Sequence, residues 1–328
     1  MNSTVDELKL ELTEACQCRC AFCHRGPQRK RVKRMQSVVA AEWIRWARDE
    51  GIPSVRFTGG EPTLEPTLLS LCELAKTVGL RVTLNTNALS DHDLLDRLVG
   101  IVDTVKVSLP VLEEGLSDSI TGVRGSLTRK LQTTVLALEA GFEVELLTVM
   151  IPENIGLVDS FLTLARSLPG ARWVPLRLES SSVSLRPLTR GMVQSLATEL
   201  HTLKKQHSLE NLRLRLATPF CAVTPIELGA QVFSGRAEDC GPFKNLTVDP
   251  MGHLISCYSC REELPSKISL EQVLQAQEVR QLIDKESLPA KCQTCDFVDR
   301  CMGGCFSPHA LVEERGGRID YLGADNGQ

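Results

Sequence analysis

At 328 residues, with 42% hydrophobic and 24% charged residues and a formal net charge of −4, the chain has an ordinary globular composition. A compact protein of this size exposes roughly 13,000 Å² against about 52,000 Å² when extended, so about three-quarters of its surface is available to form a core. The mild acidity excludes the basic surplus of a nucleic-acid binder, 4% aromatics leave few platforms for stacked bases, and no apolar run nears the ~18–20 residues of a membrane span. The polar, acidic N-terminus is no secretory signal, so a cytoplasmic, reducing location is expected. There, 13 cysteines read as metal ligands rather than as a disulfide framework.

Short β-branched runs alternate with amphipathic stretches through the first two-thirds of the chain. Strands are predicted at 8–13, 54–59, 81–86, 104–109, 143–150 and 172–179. Between them lie helical faces at Leu68/Leu71/Ala75/Val78, Leu127/Leu131/Val135/Leu138 and Val158/Leu162/Ala165/Leu168, with a last one at Val193/Leu196/Leu200/Leu203. Gly79 and Gly141 stand where helix stops belong. Six βα units imply an α/β fold with a parallel sheet, too few for a complete eightfold barrel. We therefore expect a partial (β/α)6 TIM-like barrel with its ligand site at the C-terminal ends of the strands. The pattern fades near Leu209, which divides the chain into a core at 1–212 and a C-terminal cysteine-rich domain at 213–328, with one helical interlude near 270–283.

Residues 16–23 read CQCRCAFC directly after the first strand. Cys16, Cys20 and Cys23 give the spacing C-x3-C-x2-C. Three thiolates hold three corners of a 4Fe–4S cluster and leave the fourth iron open, as a catalytic zinc keeps an open position. Cys18 is a further donor, but one so close in sequence strains the loop; all four cysteines would also suit a structural zinc. At the end of the second strand stands Thr58-Gly59-Gly60-Glu61-Pro62, where backbone without side chains lets a ligand approach closely.

Together the two motifs resemble the radical S-adenosylmethionine (SAM) superfamily, over roughly residues 8–207. The resemblance implies that Cys16, Cys20 and Cys23 hold a SAM-binding 4Fe–4S cluster. It places Gly59, Gly60, Glu61 and Pro62 around the methionine amino group, with Asn85 and Thr86 as further SAM contacts. It also implies an electron donor such as flavodoxin or ferredoxin, and reductive cleavage of SAM to a 5′-deoxyadenosyl radical that abstracts a substrate hydrogen.

In the C-terminal part, Cys240-x11-Gly252-x4-Cys257 and Cys292-x2-Cys295-x5-Cys301-x3-Cys305 resemble the SPASM extension of that superfamily. This implies one or two auxiliary 4Fe–4S clusters. By the family pattern Cys240, Cys257 and Cys305 belong together, with Cys221 as upstream fourth ligand, while Cys292, Cys295 and Cys301 start a second cluster. The family places another cysteine further on, and residues 306–328 have none, which leaves His309, Asp320, Asp325 or Cys260 to complete that cluster. Four-thiolate zinc sites remain an alternative for the C-x2-C pairs, and a non-enzymatic zinc module is the rival reading of the whole chain. Tyr258 and Cys260 are candidate catalytic groups, the first as an acid–base residue and the second as a hydrogen-atom donor.

Only fifteen residues precede Cys16, too few for an N-terminal peptide-recognition domain, so a small-molecule substrate is expected. The short build resembles the carbohydrate and aminocyclitol dehydrogenases and epimerases of antibiotic pathways; modification of a peptide or protein side chain is the alternative. The 120–126 segment and Gly141-Phe142 resemble the barrel of the GTP cyclase of molybdenum-cofactor synthesis. That family's second-cluster spacing and terminal Gly-Gly are missing here, so a shared barrel is expected and a shared activity is not.

Overall fold

The alternation in Glu-Leu-Lys-Leu-Glu-Leu-Thr makes β1 (Glu7–Thr13) two-faced. Leu8, Leu10 and Leu12 are buried in the main hydrophobic core, while Glu7, Lys9 and Glu11 line a cavity on the other face. Residues 5–23, 32–90, 93–178, 185–215, 217–257, 259, 261–266, 268–306, 311–314 and 317–324 are described by the computed structural model. Five further strands follow: β2 (Ser54–Gly59), β3 (Arg81–Thr86), β4 (Thr104–Ser108), β5 (Glu143–Met150) and β6 (Ala171–Arg177). All pair in parallel, in register from Leu8 beside Val55 through Val55 beside Val82 to Val105 beside Val144. Each of the six strands starts within one residue of its predicted position.

Among the described residues up to His207, seven α-helices lie between or after these strands: α1 (Ser37–Asp49), α2 (Leu68–Thr77), α3 (Asp93–Leu98), α4 (Glu114–Thr121), α5 (Ser126–Glu139), α6 (Val158–Ser167) and α7 (Arg190–His207). α7 begins where the Thr189 side chain accepts the Met192 amide and ends at Ser208 in the left-handed region, after Lys204, Lys205 and His207. Its predicted stripe, Val193, Leu196, Leu200 and Leu203, is buried. In α5 the predicted face is rotated. Val135 is exposed, and the buried stripe is Leu127, Lys130, Thr133, Thr134 and Ala137. The polar members are buried because the strand ends offer them partners: Lys130 donates to the carbonyls of Asn87 and Ser108, and Thr133 to that of Ala88.

These six βα units form a partial (β/α)6 barrel. The sheet does not stop at the expected division, because β7 (Asn245–Val248) pairs in parallel with β1 and β8 (Leu254–Ile255) turns back against β7. The strand order is β6-β5-β4-β3-β2-β1-β7-β8. The C-terminal part adds short helices, among them α8 (Ile226–Val232), α9 (Arg236–Asp239), α10 (Leu270–Gln275), α11 (Gln277–Ile283), α12 (Ala290–Gln293) and α13 (Val298–Cys301), and a hairpin of β9 (Leu311–Glu314) with β10 (Gly317–Asp320). The indoles of Trp43 and Trp46 on α1 donate to the carbonyls of Gly252 and Ile268, fastening the two parts together. Among the described residues no helix is long and apolar enough to cross a membrane.

Candidate active site

The cysteine loop after β1 is held from two sides. On one side the Gly60 and Glu61 amides donate to the carbonyls of Thr13 (2.6 Å) and Ala15 (2.7 Å). The backbones run so close that a Cβ at Gly59 would overlap the Thr13 carbonyl oxygen, and one at Gly60 that of Ala15. The glycine pair is thus required by the loop's own backbone as well as facing the cavity. On the other side the Arg19 and Ala21 amides donate to the carbonyls of Thr121 (2.7 Å) and Ile120 (2.9 Å) at the end of α4. Phe22 packs into a small apolar cluster of Val111, Ile120, Ile151 and Leu178.

Cys16, Cys18, Cys20 and Cys23 all face a cavity of ≈ 640 Å³ that runs through the barrel lumen. The Cys18 amide (3.4 Å) and Asn87 Nδ2 (3.6 Å) donate to Cys16 Sγ. Thiol–thiol hydrogen bonds link Cys16 to Cys18 and Cys18 to Cys20. The bond to Cys18, together with burial, pushes the Cys16 thiol far up. Cys18 is lowered by the bond to Cys16 but raised further by that to Cys20 and by burial, to about 12. Thiols bind iron as thiolates, so a cluster held by this loop would release their protons.

Gly59, Gly60, Asn85 and Thr86 line the same cavity. Asn85 Oδ1 is buried with no hydrogen-bond partner, an acceptor left over for a ligand. The Glu61 and Pro62 side chains are buried behind the wall. Glu61 accepts from the Thr63 amide and hydroxyl, from the Thr86 hydroxyl (2.9 Å) and from the Asn87 amide (2.7 Å). Burial raises its pKa, and these four donors partly offset that. Sequence reasoning missed Asn87, which bridges Glu61, Gln17 and Cys16, and Lys130, whose buried ammonium lies near Cys18, Cys20, Glu61 and Cys16. A lysine inside a helical pattern carries no such signal by itself.

Below the cysteine loop the lumen is polar. Arg56 pairs with Glu7 (2.6 Å), Lys106 with Glu145 (2.8 Å), and Arg215 with Asp239. Arg177, at the end of β6, pairs with buried Asp320 and lies 5.3 Å from the ring of Tyr321.

The C-terminal cysteines fall into two groups. Gly241, next to Cys240, lies against the Phe306 ring beside Cys305 and the Ser256 carbonyl beside Cys257. Burial pushes the Cys240 thiol well up, and the nearby Asp239, Cys305 and Cys257 push it further. Other cysteines bear on Cys221. Burial and then Cys301 raise its thiol to about 11, and burial followed by Cys221, Cys301 and Cys295 raises Cys292 to about 12. Asp320 is no free ligand, since its oxygens take Arg177 and the amides of Cys305 and Leu322. Tyr258, Cys260, His309 and Asp325 lie outside the described residues, as does most of the basic run at 25–34.

Among the described residues no group of three or more His, Cys, Asp or Glu side chains makes a site for a single metal ion. An iron–sulfur cluster needs thiols spread around a larger body of atoms, and the N-terminal donor set, sulfur only and open to a cavity, fits one.

Residues 10–165 match the Radical SAM superfamily, and the chain belongs to it as an enzyme whose cysteine-rich C-terminus fits the SPASM type. SAM and a 4Fe–4S cluster are its cofactors, and the C-terminal cysteines fit auxiliary clusters. The chain is 23% identical to a PqqA peptide cyclase of Bradyrhizobium diazoefficiens, over 90% of this chain and 80% of that protein. It is 32% identical to a probable GTP 3′,8-cyclase of Sulfurisphaera tokodaii, over 49% of this chain and only 52% of that one, so the likeness expected from the barrel spans about half of each. Among solved structures, Streptococcus suis SuiB bound to S-adenosylmethionine superposes with a TM-score of 0.74 at 18% identity, covering 93% of this chain and 74% of SuiB. SuiB bound to its precursor peptide SuiA gives 0.72. At these identities the structural likeness is one of fold.

Proposed function

We propose that this radical SAM enzyme modifies a side chain of a peptide or protein. The observation that carries the reading is the extent of the match to PqqA peptide cyclases, which runs through 90% of the chain and so beyond the barrel. SuiB, similar over 93% of the chain, has been solved with a precursor peptide, which supports the same reading. This replaces the carbohydrate or aminocyclitol substrate as first choice; dehydrogenation or epimerisation of a small molecule has no comparable support.

Cys16, Cys20 and Cys23 would hold the N-terminal cluster, with Cys18 beside them. When bound and reduced, cluster and SAM supply a 5′-deoxyadenosyl radical able to take a hydrogen atom from an unactivated carbon. The chain's residues do the rest. The glycine pair and the end of α4 fix the loop, Asn85 Oδ1 offers an acceptor to a ligand amine or hydroxyl, and Phe22 with its apolar neighbours keeps water from one side of the mouth. The ion pairs lower in the lumen give the cavity a fixed polar floor. A one-electron reductant is required, with flavodoxin or ferredoxin as the proposed donor. Tyr258 and Cys260 remain candidates for the proton or hydrogen-atom step that follows.

The test is anaerobic incubation of the reconstituted protein with SAM, dithionite and two parallel panels, one of synthetic precursor-like peptides and one of aminocyclitols. 5′-Deoxyadenosine formed together with a mass change in a peptide is the expected result. Coupled product from the aminocyclitols alone would overturn the reading.

A further inference from the structure

We propose that Cys221 is the fourth ligand of the cluster begun by Cys292, Cys295 and Cys301, standing upstream in sequence for the downstream cysteine that this chain lacks. The inference rests on the auxiliary-cluster reading above and changes its ligand set. Four thiols then serve the second cluster, and Cys240, Cys257 and Cys305 serve the first as a set of three among the described residues.

Packing brings Cys221 there. It lies in a short turn (Phe220–Ala222) whose Phe220 ring meets Phe297 edge-on at 6.0 Å and lies under the Arg300 guanidinium at 5.1 Å. Both partners belong to the stretch that carries Cys295 and Cys301. Cys221 Sγ and Lys291 Nζ converge on the Gly323 carbonyl, at 3.9 and 3.1 Å, which sets Cys221 beside the residue preceding Cys292. From behind, Arg190 of α7 donates to the Cys221 carbonyl at 2.6 Å. The Cys301 thiol in turn interacts with the Phe220 backbone.

The other set is built by different residues. Arg236 donates to the Gly304 carbonyl (2.7 Å) and lies 5.3 Å from the Phe306 ring, closing the segment that bears Cys305 over Cys240. The one carboxylate proposed from sequence that is described here is fully engaged. A carboxylate has about four acceptor sites, and Asp320 receives two N–H groups of Arg177 and the amides of Cys305 and Leu322. A thiol that gives up its proton on binding iron is a better ligand than this ion-paired carboxylate.

The test uses the full chain reconstituted without air, with iron and sulfide counted and cluster types read by Mössbauer spectroscopy. Three four-iron clusters correspond to about twelve irons per chain. Cys221→Ala is expected to lose about four of them while the N-terminal cluster still responds to SAM by EPR, which also shows that the variant has folded. Adding Cys292→Ala to Cys221→Ala should remove no further iron, whereas adding Cys257→Ala should remove a second cluster. Cys221→Ser, which preserves side-chain size, should keep the iron in part with an altered Mössbauer signature. His309→Ala with Asp325→Ala should keep the wild-type iron count. Wild-type iron in both Cys221 variants, or loss that adds to Cys292→Ala and not to Cys257→Ala, would overturn the assignment. A wild-type protein holding only about four irons, or holding zinc, would instead remove the auxiliary clusters on which it rests.

Discussion

At Gly60 two demands meet. Its amide closes a 2.6 Å hydrogen bond to Thr13, and its missing side chain leaves room for the backbone of Glu14 and Ala15, the residues leading into Cys16. An added methyl group would overlap the Ala15 carbonyl oxygen, and neither backbone can give way without moving the cysteine loop. Strain of about 1–3 kcal/mol would therefore fall on the loop rather than on the barrel. Gly60→Ala is expected to weaken retention of the N-terminal cluster by about tenfold, the scale of losses seen when groups supporting metal ligands are disturbed. Iron remaining after gel filtration and SAM binding by calorimetry measure this. Gly156→Ala, which meets open space at an ordinary φ, is the control and should change neither. Equal iron in Gly60→Ala and wild type would show that the loop accommodates the methyl group.

Elements were legible where burial follows hydrophobicity and obscure where it follows charge. The strands and the α7 stripe could be read because their apolar residues recur at the right period and meet apolar neighbours. The α5 stripe could not, because Lys130, Thr133 and Thr134 are buried through hydrogen bonds to strand-end carbonyls that no local pattern announces. Nor were α1, α3 and α4 marked out, though Ala40, Trp43, Ile44 and Ala47 have helical spacing. The motif cysteines and glycines were plain in sequence; Asn87 and Lys130, which support them, were not. Lys130 yields a prediction for α5 as a device that carries charge to the cluster loop. Lys130→Met leaves the Asn87 and Ser108 carbonyls without a donor, at about 1–3 kcal/mol, and removes a cation near the cluster thiols. Melting temperature should fall, and the midpoint potential of the N-terminal cluster should move negative, because net charge nearby helps set it. Lys130→Gln, which can still donate to both carbonyls, should recover stability but not potential. An unchanged potential in both variants would leave Lys130 a purely structural residue.

Across the whole molecule, the expected division at 212 cuts through one sheet. The continuation was hidden because β7 has four residues and β8 two, too short for periodicity to register. β7 covers the edge of β1 from Glu7 to Leu10, and single bridges join Leu176 to Arg215 and Leu214 to Phe233. Phe220, Val232, Phe233, Leu246, Val248 and Leu254 lie in the same hydrophobic core as Leu8 and Leu10. Burying each such side chain contributes roughly 1.5–3 kcal/mol, so their joint loss rivals the whole ~5–15 kcal/mol by which a domain is stable. The uncovered β1 would also present free backbone groups to other chains. A chain ending at residue 212 is therefore expected to aggregate, eluting in the void volume on anaerobic gel filtration and failing to hold about four irons. Were it instead monomeric, with an iron-loaded N-terminal loop that responds to SAM, the barrel would be an independent unit and β7 a passive addition to its edge.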